Sequence, residues 1–162
     1  MIIRPETPSL YTHIRALLCA AFPTATEADL VDRLREEGDV AFALAALEGD
    51  TVVGHVMLSP MTAPMRALGL GPVAVAPARQ RQGVGRRLID AALECARADG
   101  WQAVFVLGEP AYYGRFGFSV AAAAGFATPY AGPYFMALGL NDGAIAPQTG
   151  RVDYARAFHD LA

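Results

Sequence analysis

Apolar residues recur every three or four positions in three segments of the chain, which is the period of a helix with one buried face. The segments are residues 9–22, 24–38 and 84–100. Thr24 and Glu27 stand in the spacing of a capping box at the start of the second segment, and a glycine ends the second and the third. The pattern therefore predicts three amphipathic helices.

Shorter apolar runs, bounded by turn residues, predict the strands. They are residues 1–5, 40–60 with a tight turn at 48–50, 67–77, 103–108, 118–121 and 134–140. Gly71 and Pro72 interrupt the third long strand, where we expect a bulge. Residues 103–108 are apolar throughout, as in a central strand buried on both faces. With a short helix opened by Pro110, the order of elements predicts an α/β fold around a mixed sheet.

Composition supports a well-packed soluble protein. The 162 residues are 54% hydrophobic, with a mean hydropathy of +0.28, so we expect one domain spanning residues 1–162. No apolar run approaches the roughly 20 residues of a membrane helix, and the first ten residues do not resemble a signal peptide. We therefore expect a cytoplasmic protein. Cys19 and Cys95 form no disulfide framework, and we expect buried or incidental thiols.

The ionisable residues exclude several functions. A net charge of −3 argues against a general nucleic-acid binder. All 13 basic residues are arginine, whereas Walker-type nucleotide hydrolysis and pyridoxal-phosphate chemistry depend on a lysine. His13, His55, His159 and the two cysteines show no metal-ligand spacing, so we expect no metal.

Residues 75–93 combine two close glycines with a helix start. Gln80, Gly83 and Gly85 give the spacing Q-x-x-G-x-G between an apolar strand and an amphipathic helix. Glycines at a helix N-terminus let backbone N–H groups approach a phosphate. The surrounding arginines are Arg79, Arg81, Arg86 and Arg87. An ordinary glycine turn with solvated arginines is the alternative interpretation, and a dinucleotide fingerprint does not fit the spacing.

Two motifs follow one another in residues 71–93 and 100–118. The first is a strand with V-x-V, a proline, Q-x-x-G-x-G and a helix, and the second is a doubled tyrosine before R-F-G-F. Together they resemble motifs of the GCN5-related N-acetyltransferase (GNAT) family, in particular a bacterial subgroup with the Y-Y-x-R-F-G-F pattern. The resemblance covers nearly the whole chain. It implies a mixed, mostly antiparallel central sheet with helices on both faces, and an acyltransferase that moves an acetyl group from acetyl-CoA to a primary amine.

The resemblance also implies which residues bind acetyl-CoA, without a metal. The backbone of residues 73–75 would pair with the pantetheine arm, and amides of residues 81–86 would hold the pyrophosphate. Gln80 matches the first position of the family motif. The implied binding residues are Val73, Ala74, Val75, Gln80, Arg81, Gln82, Gly83, Val84, Gly85, Arg86 and Phe116.

For the chemistry, the family pattern Y-x-x-x-G-F places a candidate acid at Tyr113, which would protonate the departing thiolate. A backbone N–H near Val75 would polarise the carbonyl. Direct attack by the amine in a ternary complex gains most from proximity. The general base stays open between Glu109, His55 and water, and Tyr112 is interpreted as a packing residue.

The resemblance implies an acceptor that is a small-molecule or protein amine, and the acidic side chains of the predicted second helix could attract a cationic one. Its acidic residues are Glu27, Asp29, Asp32, Glu36, Glu37 and Asp39. A solvated acidic face explains the same residues. A homodimer is possible.

Two alternatives from other classes remain. One is a non-catalytic acyl-CoA-binding or regulatory module, since no base is evident. The other is a serine hydrolase, with Ser119 in G-F-S-V-A, Asp142 or Asp153, and then His159 in hydrolase chain order. Against the hydrolase, the chain is short for that fold.

Overall fold

The fold was analysed in a computed structural model that describes residues 1–141, 145 and 149–160. The described residues form eight strands and five α-helices. The strands are β1 (Ile2–Pro5), β2 (Phe42–Glu48), β3 (Thr51–Pro60), β4 (Ala67–Val75), β5 (Ala103–Leu107), β6 (Phe126–Ala127), β7 (Phe135–Gly139) and β8 (Gly150–Arg151). The helices are α1 (Tyr11–Ala21), α2 (Thr26–Glu36), α3 (Val84–Ala98), α4 (Pro110–Tyr113) and α5 (Val120–Ala123). Short 3-10 turns lie at Pro8–Leu10, Pro77–Arg79, Gly114–Phe116 and Arg156–Asp160.

Six strands form the main sheet, in the order β1-β2-β3-β4-β5-β7. Every neighbouring pair in it is antiparallel except β4 and β5, which are parallel. Strands β6 and β8 form a separate parallel pair. The mixed, mostly antiparallel sheet implied by the resemblance is therefore confirmed.

Helices cover both faces of this sheet because successive strand residues point to opposite sides. On one face, Ala46 and Val56 belong to the same buried cluster as Leu88 of α3. On the other face, the neighbouring residue Met57 is buried in a cluster with Ile14 of α1. Helix α2 packs on that second face together with α1. The alternating and 3.6-residue patterns thus place each apolar face against the sheet.

The predicted helices, hairpin and bulge are present, but the capping box is wrong. Helix α2 begins at Thr26, and its N-cap is Ala25, with no side-chain cap. The Thr24 hydroxyl instead accepts a hydrogen bond from the Thr26 backbone N–H at 3.3 Å. This local bond occupies the oxygen that the capping box would have used.

The bulge in β4 falls where Gly71 and Pro72 predict it. Val56 of β3 pairs with Val73, and Leu58 pairs with Leu70. One residue on β3 therefore faces two on β4, and the strand bends at this point.

The strand predicted at residues 118–121 is wrong. Ser119 forms an isolated bridge with Ala137 and then caps a helix, since its Oγ accepts from the Ala122 backbone N–H at 3.1 Å. Helix α5 follows directly. A serine N-cap before a run of alanines favours a helix over a strand.

The structure also bears on the expectations about the cysteines and about membrane-spanning helices. Cys19 is exposed and Cys95 is half-buried, and both are free thiols. Of the two expectations, buried or incidental thiols, full burial is therefore wrong. In the part of the chain that is described, no helix combines the length and apolarity needed to cross a membrane.

Candidate active site

Strands β4 and β5 separate partway along their length. They pair only from Ala67 with Ala103 to Gly69 with Phe105. Beyond that point β4 pairs with β3 alone, and β5 pairs with β7 alone. The edge of β4 over residues 70–75 is therefore not covered by β5. Backbone groups on an open strand edge can pair with an extended ligand.

A pocket of about 500 Å³ lies where β4 ends and α3 begins. We call it the glycine-rich pocket. It is lined by Val75, Gln80, Arg81, Gly83, Val84, Gly85, Arg86, Tyr112 and Arg115. Most residues of the Q-x-x-G-x-G motif therefore share one cavity.

The backbone of the glycine-rich pocket opens the N-terminus of α3 to a ligand. Gly83 is the N-cap residue, with φ +84°, and a Cβ on it would meet no atom within 4 Å. Arg81 also has a positive φ, of 64°. The first N–H groups of a 15-residue helix lack partners within the helix and carry the positive end of its dipole. This geometry suits an anion.

Three arginines, Arg81, Arg86 and Arg115, line the glycine-rich pocket, and no carboxylate is among its described lining residues. Arg79 and Arg87 are not among its lining residues, and Arg79 pairs with Glu48. The structure thus separates the motif arginines that the sequence could not distinguish.

The two motif glutamines bind neighbouring backbone. Gln80 donates to the Val75 carbonyl at 3.2 Å and Gln82 to the Ala78 carbonyl at 3.3 Å. Both bonds hold the loop between β4 and α3 in place. Gln80 lines the glycine-rich pocket, whereas Gln82 is absent from its lining.

Two further predicted binding residues lie beside the glycine-rich pocket and do not line it. Ala74 is buried and pairs across the sheet with His55. Phe116 is half-buried and packs against the cluster that includes α3, with its ring 5.7 Å from that of Tyr112. The side chains of Ala74 and Phe116 are therefore not part of the pocket lining.

A second cavity, of about 460 Å³, lies beside the bulge of β4. We call it the aromatic cavity. Its lining residues are Phe22, Glu27, Leu30, Leu70, Gly71, Pro72, Val73, Leu107, Tyr113, Tyr130, Tyr154 and Phe158. Five of them are aromatic, and the only charged one among the described residues is Glu27.

Tyr113 lies at the end of α4 and lines the aromatic cavity. Its ring packs so closely on Gly108 that a Cβ there would lie 2.4 Å from Tyr113 Cε2. The rings of Tyr112 and Phe118 meet it edge to face. Burial, and secondarily the neighbouring Tyr112, raises the pKa of Tyr113 to about 12. The phenol is therefore protonated at neutral pH.

Neither of the two candidate bases lines the aromatic cavity. Glu109 is exposed, and its backbone carbonyl, not its side chain, accepts from the N–H groups of Tyr112 and Tyr113. His55 is fully buried, and its Nε2 lies 2.8 Å from Glu6 Oε1. Glu6 also accepts two hydrogen bonds from Arg35. His55 is thus part of a buried polar cluster that joins the sheet to α2.

The residues of the hydrolase hypothesis do not form a triad. The Ser119 hydroxyl caps α5, and Asp153 pairs with Arg151. His159 and Asp153 share a cavity whose described lining does not include Ser119. Asp142 lies outside the described residues.

Several lining residues were missed by the sequence analysis. They are Arg115 in the glycine-rich pocket, and Phe22, Leu30, Tyr130, Tyr154 and Phe158 in the aromatic cavity. Arg115 lies inside the second motif, two residues after Tyr113, so its position was a usable signal. Tyr130, Tyr154 and Phe158 lie outside the two motifs described above, and the fold brings their side chains to the cavity. No cluster of three or more potential metal ligands occurs within the described residues.

Comparison with known proteins identifies the family. Residues 7–118 match the model of the Acetyltransferase (GNAT) family. The uncharacterized N-acetyltransferase YhbS of Escherichia coli K12 is 35% identical over 165 residues, which cover 98% of this chain and 99% of that protein. The chain belongs to the GNAT family of N-acetyltransferases.

Solved structures agree in fold. The crystal structure of YhbS from Escherichia coli in complex with CoA has a TM-score of 0.93 and 34% identity, covering 99% of this chain and 93% of that one. A GNAT family acetyltransferase from Brucella melitensis in complex with acetyl-CoA has a TM-score of 0.82 and 34% identity, covering 97% of both chains. The serine hydrolase alternative is therefore wrong.

Proposed function

We propose that the chain transfers the acetyl group of acetyl-CoA to a primary amine by direct attack in a ternary complex. The observation that carries this proposal is the pair of cavities on the open edge of β4. Val75 lines the glycine-rich pocket, and Val73 lines the aromatic cavity. A ligand that lies along residues 73–75 would therefore have one end in each. The YhbS and Brucella melitensis structures, which hold CoA and acetyl-CoA, support this proposal.

The glycine-rich pocket fits a pyrophosphate. The pyrophosphate is a polyanion, and the pocket offers backbone N–H groups, the positive end of α3 and Arg81, Arg86 and Arg115. The open space at Gly83 lets the phosphate oxygens approach the backbone. The backbone of residues 73–75 would pair with the pantetheine arm, including Ala74, whose side chain points away.

The thioester supplies an activated acetyl group at the aromatic cavity. The amine nitrogen forms a bond to the acetyl carbon, the carbon–sulfur bond breaks, and its electron pair leaves on sulfur. An acceptor that arrives as an ammonium ion must first lose one proton to solvent, because only the neutral amine carries the lone pair that attacks. Tyr113 can give its phenol proton to the departing sulfur, the nitrogen loses its second proton to solvent, and Tyr113 recovers a proton from solvent. An open backbone N–H of β4 near Val75 would polarise the carbonyl. Holding both reactants in one cleft supplies most of the rate advantage.

The test is a thiol-release assay with acetyl-CoA over a panel of primary amines that includes polyamines, aminoglycosides, arylalkylamines and peptide N-termini. Release of free CoA that depends on an added amine, with formation of the matching acetamide by mass spectrometry, is the expected result. A protein that binds acetyl-CoA yet acetylates no amine of the panel would contradict transfer and favour a binding or regulatory module.

A further inference from the structure

We propose that Glu27 binds the ammonium group of the acceptor, and that the acceptor is a monocationic primary amine on an aromatic or other apolar body without a carboxylate or phosphate. This inference rests on the proposed transfer to an amine. It identifies the substrate class and the residue that selects it.

Glu27 differs from the other acidic residues of α2 by its surroundings. Asp29 and Asp32 pair with Arg15 on the surface. Glu27 lines the aromatic cavity and forms no ion pair with another described residue. A carboxylate that lines an apolar cavity and has no cationic partner is stabilised by a cationic ligand more than a carboxylate that already pairs with an arginine.

The rest of the aromatic cavity suits the body of such a ligand. Five aromatic side chains line it, and the rings of Tyr130 and Phe158 lie 5.4 Å and 5.1 Å from that of Tyr154. Aromatic faces attract an ammonium group and also bury apolar carbon. A volume of about 460 Å³ lies within the usual range of small-ligand sites.

The lining also excludes other amines. No arginine or histidine is among the described residues of the aromatic cavity, so an amino acid would leave its carboxylate unpaired. Glu27 supplies one negative charge, whereas a polyamine or aminoglycoside brings several cations and many hydroxyls. The polar groups that tyrosine side chains add to this lining are the hydroxyls of Tyr113, Tyr130 and Tyr154, and that of Tyr154 is buried with no hydrogen-bond partner among the described residues. The single charge and the five rings favour an arylalkylamine over these classes.

The experiment compares wild type with Glu27→Gln, which removes the charge and keeps the shape. Glu36→Gln is the matched control, because Glu36 is exposed on the same helix and lines neither cavity. The probes are 2-phenylethylamine, its neutral analogue 2-phenylethanol, phenylalanine and putrescine. The readouts are kcat and KM for acetylation, and calorimetric binding of each probe to protein saturated with CoA.

We expect wild type to bind 2-phenylethylamine at least tenfold more tightly than the other three probes. In Glu27→Gln the KM and Kd for 2-phenylethylamine should rise at least tenfold, while the KM for acetyl-CoA changes less than twofold. Glu36→Gln should behave as wild type. Unchanged amine binding in Glu27→Gln, or tighter binding of phenylalanine or putrescine, overturns the inference. Amine binding that depends on Glu27 without acetylation of any amine would support the binding role and contradict the proposed transfer.

Discussion

The two cavities on β4 are opposite in charge and in construction. The glycine-rich pocket is formed mostly by residues 75–86 and is lined by three arginines without a carboxylate among its described residues. The aromatic cavity is formed by rings from distant parts of the chain and is lined by Glu27 without a cation among its described residues. The difference fits the proposed division between the cavities, with a polyanion in the first and a cationic, apolar amine in the second.

The largest expected effect is the loss of CoA binding in Gly83→Glu. The substitution places bulk and a negative charge in the glycine-rich pocket, so the Kd for CoA should rise at least 1,000-fold, or about 4 kcal/mol. Calorimetry measures it. Gly38→Glu is the control, because Gly38 also has a positive φ and open space around it but lies in neither cavity. Equal CoA affinity in folded Gly83→Glu and folded Gly38→Glu would contradict the assignment of the pyrophosphate to this pocket.

The next largest effect is on the stability of the fold, through the buried carboxylate of Glu6. Burial disfavours the ionised form of Glu6, but hydrogen bonds from His55 and Arg35 outweigh it and lower its pKa to about 2. Because the unfolded carboxyl has a pKa of about 4.5, the ionised side chain stabilises the folded state above that pH, by about 3 kcal/mol. This contribution is lost as the pH falls through about 2.

Glu6→Gln should therefore lower the free energy of unfolding at pH 7 by about 3 kcal/mol, and its difference from wild type should disappear near pH 2. Urea unfolding at a series of pH values measures both. The folded variant should keep its CoA affinity, because Glu6 lines neither cavity. A difference that stays constant with pH would show that the carboxylate charge is not the source of the stability.

A smaller effect separates the two tyrosines of the second motif. Tyr113→Phe keeps the ring on Gly108 and removes the hydroxyl, so kcat should fall about 10- to 100-fold while CoA affinity stays within twofold. Tyr112→Phe is the matched control, because the hydroxyl of Tyr112 lies beside Gly85 at the glycine-rich pocket, away from the reacting end. A Cβ built on Gly85 would lie 3.0 Å from this hydroxyl. It should leave kcat nearly unchanged. Parallel losses of kcat and CoA affinity in Tyr113→Phe would mark Tyr113 as a packing residue.

The smallest effect tests the arginine that lies outside the glycine motif. Arg115 is exposed, so its contact with a phosphate is screened, and Arg115→Gln should weaken CoA binding about three- to tenfold at low salt and less at high salt. Arg87→Gln should have no effect, because Arg87 is exposed and lines neither cavity. Equal effects of both variants would indicate a general attraction by positive charge in place of a defined contact.

The glycine-rich pocket could be predicted from the sequence, whereas most of the aromatic cavity could not. The glycine-rich pocket is formed mostly by residues close in the chain, so the spacing of Gln80, Gly83 and Gly85 was enough to locate it. The aromatic cavity takes Phe22, Tyr130 and Tyr154 from three distant regions. Phe22 packs with α1 and α2, whereas the two tyrosines pack in the cluster around β5 and β7, so their meeting depends on how both clusters pack on the sheet. The acidic pattern of α2 was visible, but it could not single out Glu27, because helical spacing does not say which carboxylate lines the cavity.

The regular elements were predictable where the apolar pattern and the turn residues agree. The hairpin of β2 and β3 and the bulge at Gly71 and Pro72 are such cases. The strand predicted around Ser119 was wrong because the short apolar run there has no clear period. The serine cap and the alanines that follow it favour the helix that the structure shows.

The proposed function requires the phosphates of acetyl-CoA to lie at the glycine-rich pocket and its reacting end to lie at the aromatic cavity. A crystal structure of the protein with acetyl-CoA would show both positions. We predict the pyrophosphate within hydrogen-bond distance of the amides of residues 81–86, the pantetheine arm along residues 73–75, and the thioester sulfur beside the Tyr113 hydroxyl. A pyrophosphate bound elsewhere, or a thioester that points away from the aromatic cavity, would contradict the account.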